Sequence, residues 1–254
     1  MIKLSSKVVK ILLTVFVACV LLSIYLIVPF PYNVDLSDNR YYIAHAAGAI
    51  DGNTYTNSKE AIIHAINQNY SYIELDLQLT KDSTLVCSHD PVDTLTTQQF
   101  LSQKISNRYT PLTLADALEI RKKHPYTLII DKMDDANMLD KFFINNKADV
   151  YVETYSWKCW KVLNEKGYNA MLNMSNRNVF HYIYYCMRCK QIITWITSSA
   201  NSYGDILRLR ILKRLFGVKT ALYLIGKSAL DFKDNIGRDI DLIYIDDKSI
   251  FVMN

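Results

Sequence analysis

The chain has 254 residues, half of them hydrophobic, which is enough for one large domain or two small ones. Its formal net charge is only +4, whereas a nucleic-acid-binding protein usually concentrates far more positive charge, so we expect no nucleic-acid partner. Glycine and proline are scarce, with 7 and 5 residues, and no tract is of low complexity, so the composition is that of a folded globular protein.

The first thirty residues contain a predicted membrane-spanning helix. Residues 11–30 read ILLTVFVACVLLSIYLIVPF and carry no charge, and at about 1.5 Å per residue such a helix spans the ~30 Å hydrocarbon core. Lysines precede it, so the positive-inside rule predicts a cytoplasmic N-terminus and an extracytoplasmic remainder. A cleaved signal peptide is the alternative, but its apolar region is only about 7–15 residues long. We therefore predict a single-pass membrane protein, anchored by residues 1–33, with its domain over residues 34–254.

The five cysteines give no clear metal site. Cys186 and Cys189 form a CMRC motif, but a zinc site would need a second ligand pair at suitable spacing. We interpret this pair as small core residues, with a local disulfide as the alternative.

Beyond residue 34, short apolar runs alternate with helical patterns. The predicted strands are 41–46, 72–77, 84–89, 127–132, 150–155, 170–174, 192–199, 220–225 and 241–246. Repeated strand–helix units are typical of a parallel sheet covered by helices. If the run 84–89 only extends the second strand, eight strands remain, which fits a compact α/β TIM (β/α)8 barrel after the N-terminal transmembrane helix. A doubly wound sheet is the alternative, because a strand count does not show closure.

Two of the predicted helices carry distinctive residues. The helix after the first strand is predicted to begin at Asn57, with Glu60 completing a capping box. A later helix ends at Gly217 and has four basic residues between positions 207 and 216. We interpret it as an outer barrel helix with a solvated basic face, with contact to an anionic membrane as the alternative.

Polar groups stand at the ends of nearly all predicted strands. They are His45, Glu74, Asp76, His89, Asp131, Lys132, Glu153, Asp246 and Asp247. In a TIM barrel the carboxyl ends of the strands form the active site. Glu74 and Asp76 are two residues apart in a strand and therefore point the same way. Two adjacent carboxylates repel each other unless a cation lies between them, so this pair predicts a divalent metal ion.

Three consecutive segments resemble the glycerophosphodiester phosphodiesterase family. They are IAHAAG (43–48), NSKEAII (57–63) and IELDLQLTKDSTLVCSHD (73–90). The family signature runs HRG, then ENT before a helix, then ELDVxxTxDxxxVxxHD, and the spacing from Glu74 to His89 agrees with it. The family is a TIM barrel of the phosphatidylinositol-phospholipase-C-like type, so the resemblance implies the same fold as the strand pattern.

The resemblance also implies roles for the residues at the strand ends. Glu74, Asp76 and Asp131 would hold one divalent cation, and a ligand set made only of oxygen favours Ca²⁺ or Mg²⁺. His45 and His89 would act as general base and general acid on opposite sides of phosphorus. The implied activity is metal-dependent hydrolysis of glycerophosphodiesters or a related phosphate-linked lipid or polymer.

Two further residues would contact the substrate. Lys132 would add positive charge at the phosphate, and Asn57 would touch it in addition to capping its helix. The nucleophile would be water or a neighbouring substrate hydroxyl. Asp134, Asp135 and Glu153 are alternatives to Asp131 as the third metal ligand.

The chain departs from the family signature at several positions. Ala46 stands where the family has arginine, Thr56 stands where it has glutamate, and Asp131 and Lys132 are adjacent where the family separates its acid and lysine by one residue. The segment HAAGAIDGNTYTNS (45–58) resembles a divergent branch of the superfamily. Loss of the arginine removes a bidentate phosphate clamp. Two alternatives therefore stay open, a non-catalytic barrel that binds head groups and a sphingomyelinase-D-like lyase that forms a cyclic phosphate. The retained histidines and acids favour an enzyme over the non-catalytic barrel, whereas the lyase would share them.

Overall fold

The computed structural model describes residues 6–30, 33–175, 179–188, 193–200, 202–224, 229–248 and 250. The interpretation of the CMRC pair falls outside these residues, because neither Cys189 nor the side chain of Cys186 is described. Cys19, Cys87 and Cys159 are free cysteines.

The apolar N-terminal segment forms helix α1, Ser6–Ile27, of 22 residues with no buried residue. Its most apolar window has a mean hydropathy of 2.5, so by length and composition it is able to cross a membrane, as a signal sequence also would be. The helix ends before the apolar run does, because Pro29 disfavours the helical conformation of the residue that precedes it. The predicted domain boundary between residues 33 and 34 stays a prediction.

Eight parallel strands close into a barrel, which confirms the TIM fold and excludes the doubly wound sheet. β1 pairs with β2 on one side and with β9 on the other, so the sheet has no free edge in the ring. β3 lies outside the ring, antiparallel to the last part of β2, as predicted for the run 84–89. In chain order the strands are β1 Tyr42–Ala44, β2 Tyr72–Leu79, β3 Leu85–Cys87, β4 Thr127–Asp131, β5 Val150–Thr154, β6 Asn169–Asn173, β7 Trp195–Ala200, β8 Lys219–Leu224 and β9 Leu242–Ile245.

Helices connect most of the successive strands, and among the described residues a 3-10 segment, Ala229–Asn235, lies between β8 and β9. The remaining helices are α2 Lys59–Asn67, α3 Thr97–Ser102, α4 Leu114–Lys123, α5 Ala136–Phe143, α6 Trp157–Glu165, α7 Val179–Arg188 and α8 Tyr203–Phe216. As predicted, α8 stops at Gly217, whose φ of 66° is the left-handed conformation that glycine adopts without steric cost.

The core has two parts that follow the alternation of side chains along the strands. In β2, Ile73 and Leu75 belong to the large cluster between strands and helices, whereas Tyr72 packs with Ile43 and Ile129 in a smaller cluster. One face of β2 therefore packs in the large cluster and the other in the smaller cluster. The face opposite the helices also carries Glu74 and Asp76.

The start of α2 differs from the prediction. Ser58 is the N-cap, because it has extended φ and ψ angles of −93° and 163° and its hydroxyl accepts a hydrogen bond from the Ala61 amide at 3.2 Å. Asn57 has a left-handed φ of 47°, which an N-cap residue does not adopt. Its side chain turns toward β2 and is free for another role.

Candidate active site

Three buried carboxylates meet at the carboxyl end of the barrel. Glu74 and Asp76 lie on β2, and Asp131 is the last residue of β4, directly beside Asp76 in the sheet register. One oxygen of each lies within 4.8 Å of the others. The structure therefore brings together the three residues that the sequence analysis assigned to a metal.

Few donors compensate these charges. The Ala46 amide donates to Glu74 Oε2 at 2.5 Å, and the Lys132 amide donates to Asp131 Oδ1 at 2.7 Å, but the buried Glu74 Oε1 has no hydrogen-bond partner. Burial, and then the charges of Asp76 and Asp131, raise the pKa of Glu74 well above its usual range. Burial and Glu153 raise the pKa of Asp131 to about 7.

The chemistry of this cluster fits a divalent cation. Buried polar atoms are normally paired, and an unpaired carboxylate oxygen beside two further carboxylates is costly. Oxygen ligands of this kind suit Ca²⁺ or Mg²⁺. Among the described residues, these three carboxylates form the group that has metal-ligand spacing.

Asn57 and Lys132 both contact Asp76. The Asn57 side chain donates to Asp76 Oδ2 at 2.8 Å and accepts from the Asp76 amide at 3.0 Å, and Asn57 is fully buried. The ammonium of Lys132 lies 3.3 Å from Asp76 Oδ1 and donates to the His89 carbonyl at 2.7 Å. Both residues thus orient a carboxylate of the cluster, a role the sequence analysis did not assign to them.

The two histidines lie at the same end of the barrel. His45 directly follows β1, and its Nδ1 lies 3.0 Å from Asp246 Oδ1, just beyond β9. His89 follows β3, and its Nδ1 lies 3.2 Å from Asp90 Oδ1. Because an ionised carboxylate only accepts hydrogen bonds, each Nδ1 is the donor and each Nε2 is left for proton transfer. The His45 side chain is 17% exposed and that of His89 is 42% exposed.

A family model agrees with this site. Residues 48–157 match the model of the Glycerophosphoryl diester phosphodiesterase family. This match spans less than half of the chain and includes the three carboxylates and His89, so it shows similarity to a family of phosphoric diester hydrolases.

Solved structures of glycerophosphodiester phosphodiesterases and of a further phosphodiesterase share the fold of this chain at low sequence identity. One from Thermotoga maritima is 16% identical with a TM-score of 0.65, over 88% of this chain and 99% of that one. A putative one from Galdieria sulphuraria is 12% identical with a TM-score of 0.65, over 84% and 98%. A phosphodiesterase from Oleispira antarctica, in complex with the product sn-glycerol-3-phosphate, is 15% identical with a TM-score of 0.65, over 84% and 95%. No curated protein matches the chain.

Tyr55 lies between the two histidines. Its ring centroid is 4.8 Å from that of His45 and 4.7 Å from that of His89, edge to face in both cases. Burial and the Asp246 charge raise the pKa of its phenol. The sequence analysis missed Tyr55, and the signal was the aromatic residue inside the divergent loop TYTNS, which directly precedes α2.

Glu153 is the second functional residue whose surroundings the sequence did not reveal. It is buried on β5, and its carboxylate accepts four hydrogen bonds of 2.6 to 3.1 Å from side chains on the next four strands, Asn173, Thr197, Tyr223 and Tyr244. Burial raises the pKa of Glu153 while these donors oppose the shift. Tyr223 and Tyr244 stack with centroids 3.7 Å apart, and the Tyr223 ring packs edge-on against His45 at 5.3 Å.

The alternatives to Asp131 therefore have other partners. The oxygens of Glu153 are occupied by donors. Asp134 accepts from the Thr154 hydroxyl at 2.5 Å. Asp135 caps α5.

Proposed function

We propose that this chain is a metal-dependent phosphodiesterase that hydrolyses glycerophosphodiesters or a related phosphate-linked compound by acid–base catalysis with His45 and His89. The observation that supports this most is the cluster of Glu74, Asp76 and Asp131, with its unpartnered buried oxygen, next to two carboxylate-held imidazoles. The family-model match and the similarity to solved phosphodiesterase structures support the reaction class.

The residues of the site have separate roles in breaking a phosphodiester. Lewis-acid stabilisation of a phosphate oxygen is what one Ca²⁺ or Mg²⁺ ion would supply when held by the three carboxylates. His45, fixed by Asp246, takes a proton from the attacking hydroxyl through Nε2, and His89 gives one to the leaving alkoxide. Lys132 provides the positive charge beside the phosphate that an arginine provides in the family signature. Asn57 is placed to act through Asp76. Direct contact between Asn57 and the substrate would require Asp76 to move, because both polar atoms of the Asn57 side chain bond to Asp76.

The same proposal includes a location. The long apolar helix α1 supports a membrane anchor over residues 1–33, followed by the catalytic domain over residues 34–254. The lysines before the uncharged run 11–30, of which Lys7 and Lys10 lie in the first turns of α1, favour a cytoplasmic N-terminus and an extracytoplasmic barrel.

The test is hydrolysis of a panel of glycerophosphodiesters, lysophospholipids and phosphate-linked polymer fragments by the full chain in detergent, followed by phosphorus NMR. Turnover is expected with Ca²⁺ or Mg²⁺ and not with a chelator. His45→Ala should lower kcat/KM by roughly 10²–10⁴-fold, the usual contribution of a general base. The matched control is His64→Ala, because His64 is exposed on α2.

Each of the other outcomes has a distinct meaning. Turnover that survives both the chelator and His45→Ala contradicts the mechanism. A cyclic phosphate product indicates the lyase alternative, and head-group binding without turnover or metal uptake indicates the non-catalytic barrel.

A further inference from the structure

The end of helix α1 is held by arginines of the barrel. Described residues of α1 are largely exposed, so the helix projects from the barrel and meets it through its last turn. Arg210 donates to the Ile27 carbonyl at 2.5 Å. Arg214 donates to the Val28 carbonyl at 2.9 Å and also to that of Tyr25.

These contacts satisfy a need of the helix. The last carbonyls of an α-helix have no partner within it, and cations at this end stabilise the helix dipole. The last turn of α1 has no basic residue of its own. Arg238 extends the junction with a hydrogen bond to the Phe30 carbonyl at 3.3 Å, and the Arg214 guanidinium lies 4.8 Å from the Phe30 ring.

The barrel holds these arginines in place with Asp239. Arg210 pairs with its carboxylate through two hydrogen bonds of 2.8 and 3.0 Å, and Arg238 donates to it at 2.9 Å. The side chains of Arg210 and Asp239 are almost completely buried. This corrects the sequence-based interpretation of α8 as a helix with a solvated basic face, since at Arg210 that face is the contact between α1 and the barrel.

The junction lies at the amino ends of the strands. Arg210 and Arg214 are in the second half of α8, which leads into the start of β8 at Lys219. Asp239 precedes β9, and its carbonyl accepts a hydrogen bond from the Thr220 hydroxyl at 2.8 Å. The active-site groups lie at the opposite end, and the six residues of β8 alone correspond to about 20 Å between the two ends.

We infer that α1 holds the barrel with its active site facing away from the membrane that α1 enters, and that the substrates are therefore water-soluble glycerophosphodiesters. A phospholipid of that membrane would have to leave the bilayer completely to reach the carboxylates. A soluble diester reaches them directly from the aqueous phase. This inference deepens the proposed function and rests on it for the reaction, and it rests on α1 crossing the membrane.

The orientation of the barrel is tested first, by a measurement that does not depend on enzymatic activity. The full chain is inserted into vesicles that contain phospholipid with a nitroxide on its head group, and a small fluorescent amino acid replaces either Leu215 or Pro91. Leu215 is 43% exposed beside Arg214, and Pro91 is exposed two residues after His89. The label at position 215 should lose most of its emission, and the label at position 91 should keep most of it. Equal or inverted quenching overturns the inference.

A pair of variants tests the junction itself. The double variant Arg214→Ala, Arg238→Ala should reduce the difference in quenching between the two labels without changing turnover of a soluble diester. The control is Arg208→Ala, because Arg208 lies on the same helix but pairs with Asp205. An unchanged difference in the double variant would show that the arginines do not set the orientation.

The substrate class is tested in the same vesicles. Glycerophosphocholine in solution should be hydrolysed at similar rates by the full chain in vesicles and in detergent. Lysophosphatidylcholine within the same bilayer should react at least about tenfold more slowly than glycerophosphocholine, because its phosphate cannot be positioned at the site. Equal rates overturn the inference. If neither compound nor any other diester reacts in detergent, the proposed function fails, and the quenching result still decides the orientation.

Discussion

Glu74 and Glu153 are both buried glutamates near the carboxyl end of the same barrel, but their surroundings are opposite. Glu153 accepts four hydrogen bonds from side chains on the four strands that follow it in the chain. Glu74 accepts one from a backbone amide, has one oxygen without a partner, and faces Asp76 and Asp131. Both carboxylates are costly to bury. The fold compensates the carboxylate of Glu153 with donors, whereas Glu74 lacks them, which supports the proposal that Glu74 binds a cation.

The comparison distinguishes two functions for the same residue type. Donors fill both oxygens of Glu153 and leave it unable to act as a metal ligand. Its carboxylate instead holds the hydroxyls of Tyr223 and Tyr244, whose rings stack on each other. These rings in turn contact His45. Glu153 is therefore a positioning residue, and Glu74 is a candidate ligand.

The largest expected effect comes from removing a candidate ligand. Glu74→Gln should lower phosphodiesterase activity by at least about 100-fold, because a bound cation contributes several kcal/mol of transition-state stabilisation. It should also abolish the rise in melting temperature that Ca²⁺ or Mg²⁺ gives to the unaltered protein. A variant that keeps this rise would show that Glu74 is not a ligand.

The second prediction concerns pH in the presence of a chelator. The pKa of Asp131 in the folded protein is about 7, above its ordinary value of 3.8, so the folded state binds this proton more tightly than the unfolded state. The stabilisation that the folded state gains by binding this proton is fully present below about pH 4, and it is lost as the pH rises through 7. The free energy of unfolding should therefore fall by about 2–4 kcal/mol between pH 4 and pH 8.

Two controls sharpen the pH experiment. Asp131→Asn should flatten this pH dependence, measured by urea denaturation with chelator present. Saturating Ca²⁺ or Mg²⁺ should flatten it as well, because the cation then replaces the proton. A pH dependence that persists in Asp131→Asn would assign it to other groups.

The third prediction concerns the residue behind Asp76. Asn57→Gly should weaken metal binding by about 10–100-fold, the usual effect of removing a group that orients a ligand. Glycine is chosen because it keeps the left-handed conformation of position 57 without strain. The control is Asn53→Gly in the same loop, since Asn53 bonds to the loop backbone and to Tyr109 but not to the cluster. Isothermal calorimetry measures both, and equal affinities would leave Asn57 without this role.

The smallest effect is expected at Glu153. Glu153→Gln places an amide donor against hydroxyl and amide donors and should cost about 1–3 kcal/mol of unfolding free energy. Its metal affinity should stay close to that of the unaltered protein. Tyr223→Phe, which removes one donor, should cost about 1 kcal/mol. A loss of metal binding in Glu153→Gln as large as in Glu74→Gln would remove the distinction between the two glutamates.

The sequence was sufficient for features whose cause is local. The alternation in β2 places Glu74 and Asp76 on one face whatever the rest of the chain does, and the strand–helix repeat made a barrel predictable. The stop of α8 at Gly217 was predictable for the same reason.

Features that depend on distant partners were not predictable. Asn57 precedes Ser58, and either side chain is able to cap a helix. Ser58 caps α2 because the Asn57 side chain binds Asp76, which lies 19 residues later in the chain. The four donors around Glu153 come from strands that follow it in the chain. The burial of Arg210 depends on Asp239 and on the end of α1, and a pattern of basic residues along α8 does not contain that information.

The position of His45 at the closing seam of the barrel has a consequence for how the protein is made. His45 follows β1, its partner Asp246 follows β9, and the two are 201 residues apart. Because a chain is synthesised from its N-terminus, β1 and His45 are made well before β9 and Asp246. A chain whose synthesis has not yet reached Asp246 lacks both the closed ring and the carboxylate that holds His45, so the candidate site cannot be complete before that point.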